Sequence, residues 1–299
     1  MAGGGGSGGG GSGGTDPIGR YSTGCGMSAP VADNAGTYTK HDLDVTGVDP
    51  QFIIAHPPHP NNNGGYTYTK RNYFLKLPPG YDKNKPYPVT FGGGACGNTS
   101  GDSGKDGGLQ ASGITAIQIG LSYVYSGGAC FEDGYTNTPE PPYFDAVMAE
   151  ISARYCVDLD RVFMSGFSTG AWEALMLGFA RGGVLRGIAT IGGGLRKQQP
   201  TPSGVPFAAI LQSGLDDTNN PISGPTGSAL VRDEILKTNQ CTGTATAPWE
   251  PDENCVQYTG CPAAFPVVWC TPPGTNNAPY AAHMATVGPF WDSLPAPPH

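Results

Sequence analysis

Short apolar runs alternate with amphipathic segments along most of the chain. Strand-length runs that end in glycine lie at residues 87–93 (YPVTFGG), 114–120, 161–166, 187–193 and 207–214. Apolar residues at helical spacing are Phe144, Val147, Met148, Ile151 and Tyr155, and residues 171–179 repeat that spacing. Strands that alternate with helices favour right-handed βαβ crossovers. The pattern therefore predicts an α/β fold with a doubly wound, mostly parallel sheet and helices on both faces.

Three segments depart from this alternation. Residues 66–77 alternate aromatic and polar side chains, which predicts an antiparallel strand in a half-buried edge hairpin. Residues 238–280 are rich in Pro, Thr, Asn and Cys, and we predict a loop insertion with one strand at 265–270. Residues 1–15 (MAGGGGSGGGGSGGT) lack the basic and apolar regions of an export signal and predict a flexible tether. We expect residues 16–299 to form one domain.

The charge balance and the cysteines narrow the class of protein. The chain carries 16 Lys and Arg against 24 Asp and Glu, a net charge of -8 that disfavours binding to nucleic acid or an anionic membrane. No apolar run approaches the roughly 18 residues that span a bilayer. Eight cysteines, without a CxxC pair, predict disulfides and an oxidising compartment, with local pairs among the last four. We therefore expect a secreted monomer, which the tether could attach to a surface.

A serine between two glycines is the first candidate for chemistry. Gly166, Ser168 and Gly170 satisfy the pattern GxSxG within RVFMSGFSTGAWEAL. In a chain with 48 glycines, a glycine-rich turn with an incidental serine would explain the motif as well. A strand-like run precedes the motif and a helical pattern follows it, which is the context in which such a turn exposes a nucleophile. The sequence therefore predicts Ser168 as a nucleophile.

A nucleophilic serine needs a base, and the base needs an orienting acid. In the chain order of α/β-hydrolases the histidine follows both the serine and the acid, which leaves His283 and His299. A terminal residue is poorly held, so we predict as the base His283, which follows a long loop and directly precedes an amphipathic terminal segment. The run at 207–214 leads into Asp216 and Asp217, and position alone leaves the choice of acid between them open.

Acyl transfer also needs backbone amides that stabilise an oxyanion. We predict one amide at Thr169, directly after the nucleophile, and another at Gly93 or Gly94, after the run at 87–93. A glycine-rich turn explains the same glycines and is compatible with this role. The reaction requires no metal and no organic cofactor.

With these residues assembled, the chain resembles the secreted feruloyl esterases of the carbohydrate esterase family 1 type and the related polyhydroxybutyrate depolymerase-like esterases. The resemblance covers most of the chain from Cys25 onward and includes RNYFLKLPPGYDKNKPYPVTF, YCVDLDRVFMSGFSTGA, GLDDTNNP and FPVVWC. It implies an α/β-hydrolase fold with a Ser-His-Asp triad. Family members usually carry HGxxD with a proline four residues after the aspartate, and Asp217 with Pro221 fits that frame. The resemblance therefore selects Asp217 as the acid, with Asp216 as the alternate, and His283 as the base.

The chain departs from this family in three places. The usual His-Gly of the oxyanion strand is Gly92-Gly93, the histidine of HGxxD is Ser213, and residues 95–142 differ from the family's loops. Because of these changes, the resemblance does not determine which ester is the substrate. Residues that could line a pocket for an aromatic acyl group are Trp172, Tyr123, Tyr125 and Phe131. Trp172 also fits the buried face of its helix.

Three functions remain in view. The resemblance implies a secreted serine carboxylic ester hydrolase, with feruloyl (hydroxycinnamoyl) esterase activity on plant cell-wall esters. A polyester hydrolase, acting on polyhydroxyalkanoate or on an aromatic polyester of the PET type, would use the same triad on a polymeric ester. A non-catalytic carbohydrate- or polymer-binding protein on a hydrolase scaffold is the alternative of a different class. Retention of serine, acid and histidine in the right order disfavours that last alternative.

Overall fold

The computed structural model describes residues 20–58, 65–94, 114–124, 130–131, 136–194, 202–274 and 280–297. The predicted tether and Tyr125 lie outside these ranges. The strands within them are β1 (Thr39–Asp44), β2 (Lys70–Lys76), β3 (Tyr87–Gly93), β4 (Ile117–Leu121), β5 (Val157–Phe167), β6 (Gly187–Ile191), β7 (Ala208–Gln212), β8 (Thr246–Pro248), β9 (Cys255–Tyr258) and β10 (Val267–Cys270). The helices are a 3₁₀-helix (Val31–Ala35), α1 (Pro50–Ala55), α2 (Glu140–Arg154), α3 (Thr169–Arg181), α4 (Ser228–Thr238) and α5 (Tyr280–Asp292). None of these helices is both long and apolar enough to cross a membrane.

The sheet combines a parallel centre with antiparallel edges. Its strand order is β1-β2-β4-β3-β5-β6-β7-β10-β9-β8. Strands β4, β3, β5, β6, β7 and β10 run parallel to their neighbours in this series, whereas β1 with β2, β2 with β4, β10 with β9, and β9 with β8 pair antiparallel. The predicted mostly parallel sheet is confirmed. All the parallel strands end at one edge, which is where active sites of such sheets lie.

Alternate residues of the strands belong to two separate cores. In β10, Val267 joins the core beneath α2, α3 and α4, whereas Val268 joins the core beneath α5. On the α5 side, Phe163 of β5 stacks on Trp291 with ring centroids 4.7 Å apart. Helices therefore cover both faces of the sheet, as predicted.

The strand predicted at residues 66–77 is not an edge strand. It corresponds to β2, which pairs with β1 on one side and with β4 on the other, and its central residues are buried. The edge is β1, whose sequence TKHDLD alternates half-buried and exposed side chains. The prediction was wrong because a solvated edge strand needs few apolar side chains, so β1 carries little of the pattern of a strand.

The region predicted as a loop with one strand contains three strands. β8 and β9 precede β10 and extend the sheet antiparallel. At three and four residues they are too short for alternation to be recognised in the sequence. The disulfides with both cysteines in the described ranges are Cys25–Cys156, Cys241–Cys261 and Cys255–Cys270. The last two confirm the predicted local pairs, and the last holds β9 to β10.

Candidate active site

Ser168 lies at the turn between β5 and α3, at the carboxyl edge of the sheet. Its backbone has φ 54° and ψ -115°, a conformation that L-residues rarely adopt. Its N–H donates to Ile191 O at 3.0 Å, and its carbonyl accepts from Ala171 N at 3.0 Å and Trp172 N at 3.1 Å. Such a conformation costs about 1–3 kcal/mol and persists only where its surroundings impose it. The turn therefore has the strained geometry predicted for a nucleophile.

Both glycines of the motif are required by close backbone contacts. A Cβ atom on Gly166 would lie 1.9 Å from Gly170 O, and a Cβ atom on Gly170 would lie 1.9 Å from Gly93 O. The Gly170 N–H also donates to Gly94 O at 3.0 Å. These contacts hold the end of β3 against the first turn of α3, so the glycines are not incidental to the turn.

Replacing Gly170 with alanine is expected to lower the free energy of unfolding by about 3 kcal/mol or more, because the added methyl overlaps the Gly93 carbonyl. Urea unfolding followed by circular dichroism measures the change. Gly183→Ala is the matched control, since a Cβ there meets no atom within 4 Å. It should change stability by less than about 1 kcal/mol. Equal stabilities of the two variants would contradict the proposed contact.

The residues predicted for the oxyanion hole lie in the first turn of α3 or next to it. Thr169 is the first residue of α3, where a backbone N–H has no partner within the helix. Gly93 and Gly94 are held beside Gly170 by the contacts described above. The partial positive charge of the helix N-terminus adds to any amide aimed at an anion there. The arrangement can therefore stabilise a negative oxygen near Ser168.

The two candidate acids differ in environment. Asp217 is 4% exposed, and its Oδ1 accepts from Asn219 N at 2.8 Å and Asn220 N at 3.0 Å. Its Oδ2 is buried and has no hydrogen-bond partner among the described residues. Asp216 is exposed, and its Oδ2 accepts from Gly274 N at 3.0 Å. Asp217 thus has a buried carboxylate oxygen without a hydrogen bond among the described residues, whereas the Asp216 carboxylate binds the loop at Gly274.

His283 is fully buried in the first turn of α5. The helix begins earlier than predicted, at Tyr280. Neither ring nitrogen of His283 has a hydrogen-bond partner in the part of the chain that the structure describes. The structure therefore does not join His283 to Ser168 or Asp217 by a hydrogen bond. It does place Asp217 and His283 after the adjacent parallel strands β7 and β10.

One charge that the sequence did not indicate acts on His283. Burial lowers the pKa of the His283 imidazole from 6.5 to about 4, and the negative charge of Asp252 partly opposes that shift. The Asp252 carboxylate lies within 4.8 Å of the sulfurs of Cys255 and Cys270, which form a disulfide. No motif marked Asp252, because only the folding of β9 onto β10 brings it near the histidine.

The lowered pKa predicts how stability depends on pH. The unfolded chain binds a proton at His283 near pH 6.5 and the folded chain near pH 4, so stability rises with pH between those values. Relative to His283→Gln, the wild type should lose about 3 kcal/mol of unfolding free energy as the pH falls from about 7.5 to about 4. Urea unfolding of both proteins across this range measures the difference. A pH-independent difference would contradict the burial of a neutral imidazole.

Two of the predicted pocket residues pack against each other beside Gly93. Tyr123 and Phe131 are 3% exposed and meet edge to face, with ring centroids 5.6 Å apart. A Cβ atom on Gly93 would lie 3.3 Å from Phe131 Cε2. Trp172 is half-buried and lies near Gly194, one turn of helix after Ser168. The structure thus places Tyr123 and Phe131 beside Gly93, and Trp172 in the first turns of the helix that follows Ser168.

A buried ion pair that contacts Ser122, the chain neighbour of Tyr123, was not predicted. Arg71 Nη2 donates to Glu140 Oε2 at 3.0 Å and to Ser122 O at 2.6 Å. Tyr143 Oη accepts from Ser122 N at 3.1 Å, and the Arg71 guanidinium carbon lies 3.8 Å from the centroid of the Tyr143 ring. The network fixes Ser122 and hence Tyr123. A charged residue in β2 gave no signal of this role, because its partners come from distant parts of the chain.

Comparisons with known proteins show which proteins this chain resembles. No family model matches the chain. Feruloyl esterase C of Emericella nidulans is 29% identical over 192 residues, which cover 61% of this chain and 67% of that protein. Feruloyl esterase D of Neurospora crassa is 25% identical over 219 residues, which cover 69% of this chain and 74% of that protein.

Solved structures support the fold. Acetyl xylan esterase from Aspergillus awamori matches with a TM-score of 0.56 at 13% identity, over 86% of this chain and 100% of that one. A feruloyl esterase module from Clostridium thermocellum matches with a TM-score of 0.53 at 12% identity, over 94% of this chain and 99% of that one. The chain therefore has the α/β-hydrolase fold. The predicted resemblance to esterases of the feruloyl esterase type is confirmed by the curated relatives.

Proposed function

We propose that the chain is a secreted serine carboxylic ester hydrolase that releases hydroxycinnamic acids such as ferulate from their esters. The observation that carries the proposal is the strained turn at Ser168, with φ 54° between a buried strand and a helix. The names of the curated relatives support the acyl group. The disulfides support an oxidising compartment and thus secretion.

Ser168 Oγ attacks the ester carbonyl while His283 takes the hydroxyl proton. The Thr169 N–H, together with that of Gly93 or Gly94, donates to the oxyanion of the tetrahedral intermediate. His283 then gives its proton to the leaving alcohol. Water attacks the acyl-enzyme with His283 again as the base, and His283 returns that proton to Ser168 Oγ as the acid is released.

Asp217 orients His283 in this proposal. Asp217 Oδ2 and both His283 nitrogens are buried without partners among the described residues, and each such group costs about 1–3 kcal/mol. A hydrogen bond from His283 Nδ1–H to Asp217 Oδ2 would satisfy two of these atoms and fix the tautomer that leaves Nε2 free to act as base. Hydrogen bonds of this kind are often long or poorly aligned in the free enzyme and tighten when substrate binds.

The aromatic pair Tyr123–Phe131 supports an aromatic acyl group, because it lies next to the backbone that would hold the oxyanion. An apolar wall in that position can pack against the phenyl ring of a hydroxycinnamoyl ester. Acetyl esters would leave the same wall without a contact. The preference for hydroxycinnamoyl over acetyl esters therefore tests the aromatic wall separately from the catalytic role of Ser168.

Phe131→Leu is expected to lower kcat/KM for methyl ferulate by about tenfold and to leave kcat/KM for 4-nitrophenyl acetate within about twofold. Steady-state kinetics on both esters measures the ratio. Phe179→Leu is the matched control, since Phe179 forms a similar edge-to-face pair with Phe207 in the core. Equal losses of kcat/KM on the two esters would show that Phe131 does not contact the acyl group.

A substrate panel tests the assignment as a whole. Methyl ferulate should be hydrolysed with a higher kcat/KM than methyl acetate. Films of polyhydroxybutyrate and of an aromatic polyester should release product more slowly than the soluble ester. Faster product release from either film than from methyl ferulate would indicate a polyester hydrolase. Binding to a film without hydrolysis of any ester would favour a polymer-binding protein.

A further inference from the structure

Ser122, directly after the carboxyl end of β4, is held at each of its polar groups. Its carbonyl accepts from Arg71 Nη2 at 2.6 Å, and its N–H donates to Tyr143 Oη at 3.1 Å. Its Oγ accepts from Asn72 Nδ2 at 3.2 Å. The next residue is Tyr123, whose ring meets Phe131 edge to face. These contacts therefore fix the backbone from which the aromatic wall of the proposed acyl pocket begins.

The residues that hold Ser122 also hold one another. Arg71 Nη2 donates to Glu140 Oε2 at 3.0 Å, and both side chains are buried. Tyr143 Oη donates to Asn72 O at 2.7 Å, and the Tyr143 ring lies against the guanidinium. A buried network whose members are hydrogen-bonded to one another rigidifies the backbone that it contacts. The carboxyl end of β4 is therefore held in one position by residues of β2 and α2.

The same network is linked electrostatically to the helix that follows the nucleophile. Burial alone would lower the pKa of the Arg71 guanidinium, but the negative charges of Glu140 and Glu173 help to raise that pKa above its ordinary value. Glu173 is fully buried in α3, in the second turn after Ser168. Arg71 therefore stays charged, and its charge acts both on the start of α2 and on α3.

We propose that Arg71 and Tyr143 are positioning residues for acyl specificity, which fix Ser122 and thereby the place of the Tyr123–Phe131 pair beside Gly93. The inference rests on the proposed hydroxycinnamoyl esterase function. Phe131 is already close to this backbone, since a Cβ atom on Gly93 would lie 3.3 Å from Phe131 Cε2. A displacement of about 1 Å in a supporting residue can misplace a bound substrate. Such a displacement affects an aromatic acyl group, whereas an acetyl group does not reach the pair.

Tyr143→Phe tests the inference with a small change, because it removes only the hydroxyl that joins Ser122 N to Asn72 O. The ratio of kcat/KM for methyl ferulate to kcat/KM for 4-nitrophenyl acetate should fall about fivefold, mainly through KM for methyl ferulate. Tyr155→Phe is the matched control. Tyr155 is a fully buried tyrosine at the other end of α2, and its hydroxyl donates to Asp33 Oδ2 at 2.6 Å. An unchanged ratio in Tyr143→Phe, or an equal fall in Tyr155→Phe, overturns the inference.

Arg71→Lys gives the second arm of the test. A lysine keeps the charge that faces Glu140 but loses the forked donors that bind Glu140 and Ser122 O together, so the same ratio should fall. An unchanged ratio in Arg71→Lys also overturns the inference.

The double variant Tyr143→Phe/Phe131→Leu separates positioning from a general loss of stability. If Tyr143 acts through the aromatic pair, Tyr143→Phe should lower the ratio much less in the Phe131→Leu background than in the wild type. Effects of the two substitutions that simply multiply would overturn the inference.

Failure of this inference can be distinguished from failure of the proposed function. A wild type that hydrolyses 4-nitrophenyl acetate without any preference for methyl ferulate would overturn the proposed acyl group and this inference with it. A wild type that prefers methyl ferulate, and keeps that preference in Tyr143→Phe and Arg71→Lys, would overturn the positioning role alone.

Discussion

Ser168→Ala is expected to lower kcat for methyl ferulate by about a millionfold, since it removes the atom that forms the acyl-enzyme. The residual rate would come from the oxyanion amides and substrate binding alone. Alanine fits the site, because Ser168 is half-buried and its side chain does not cap the helix. The loss should therefore appear in kcat with little change in the unfolding midpoint. Steady-state and single-turnover kinetics, together with urea unfolding, measure both quantities.

Ser223→Ala is the matched control, because Ser223 is an exposed serine in the loop that follows the candidate acids. It should retain the wild-type kcat. Hydrolysis by Ser168→Ala at more than about one hundredth of the wild-type rate would exclude Ser168 as the nucleophile. The same fall in Ser223→Ala would point to a general loss of folded protein.

Asp217→Asn is expected to lower kcat by about ten-thousandfold, because an amide cannot stabilise the imidazolium and favours the wrong tautomer of the base. The carboxylate is buried, and its Oδ1 already accepts two backbone N–H groups. An amide oxygen can keep those bonds, so the variant changes the charge with little change in the turn. Kinetics with 4-nitrophenyl acetate and methyl ferulate should give the same loss, since the acid acts on His283 rather than on the acyl group.

Asp216→Asn provides the comparison at the neighbouring position. Its carboxylate is exposed and binds Gly274 N, a contact that an amide oxygen can also make. We expect a loss of less than about tenfold. A larger loss at Asp216 than at Asp217 would show that the acid has been assigned one residue too late.

The central strands of the fold could be predicted because each is buried on both faces. Runs such as YPVTFGG and GIATI need no knowledge of their neighbours, since a parallel strand covered on both sides is continuously apolar. The edge strand β1 and the short strands β8 and β9 could not be predicted, because partners distant in the chain stabilise them. The helix α4 has few buried positions, notably Val231 and Ile235, and its pattern was too weak to single out.

The candidate site was predictable to the extent that its residues follow strands in a fixed chain order. Ser168 and Asp217 each come directly after a recognisable strand, so their placement at one edge followed from the topology. The contact of Gly170 with Gly93 could not be foreseen, because it depends on the distance between two backbones. The burial of His283 and its proximity to the Asp252 charge depend in the same way on how β9 and α5 pack.

Covalent labelling of the nucleophile tests the central claim most directly. The wild type would be incubated with a 4-nitrophenyl alkylphosphonate, which phosphonylates an activated serine and releases one nitrophenolate per event. We predict release of one equivalent, loss of esterase activity in the same proportion, and a label on Ser168 in the digested protein. A label on another residue, or the absence of labelling in folded and active enzyme, would contradict the account.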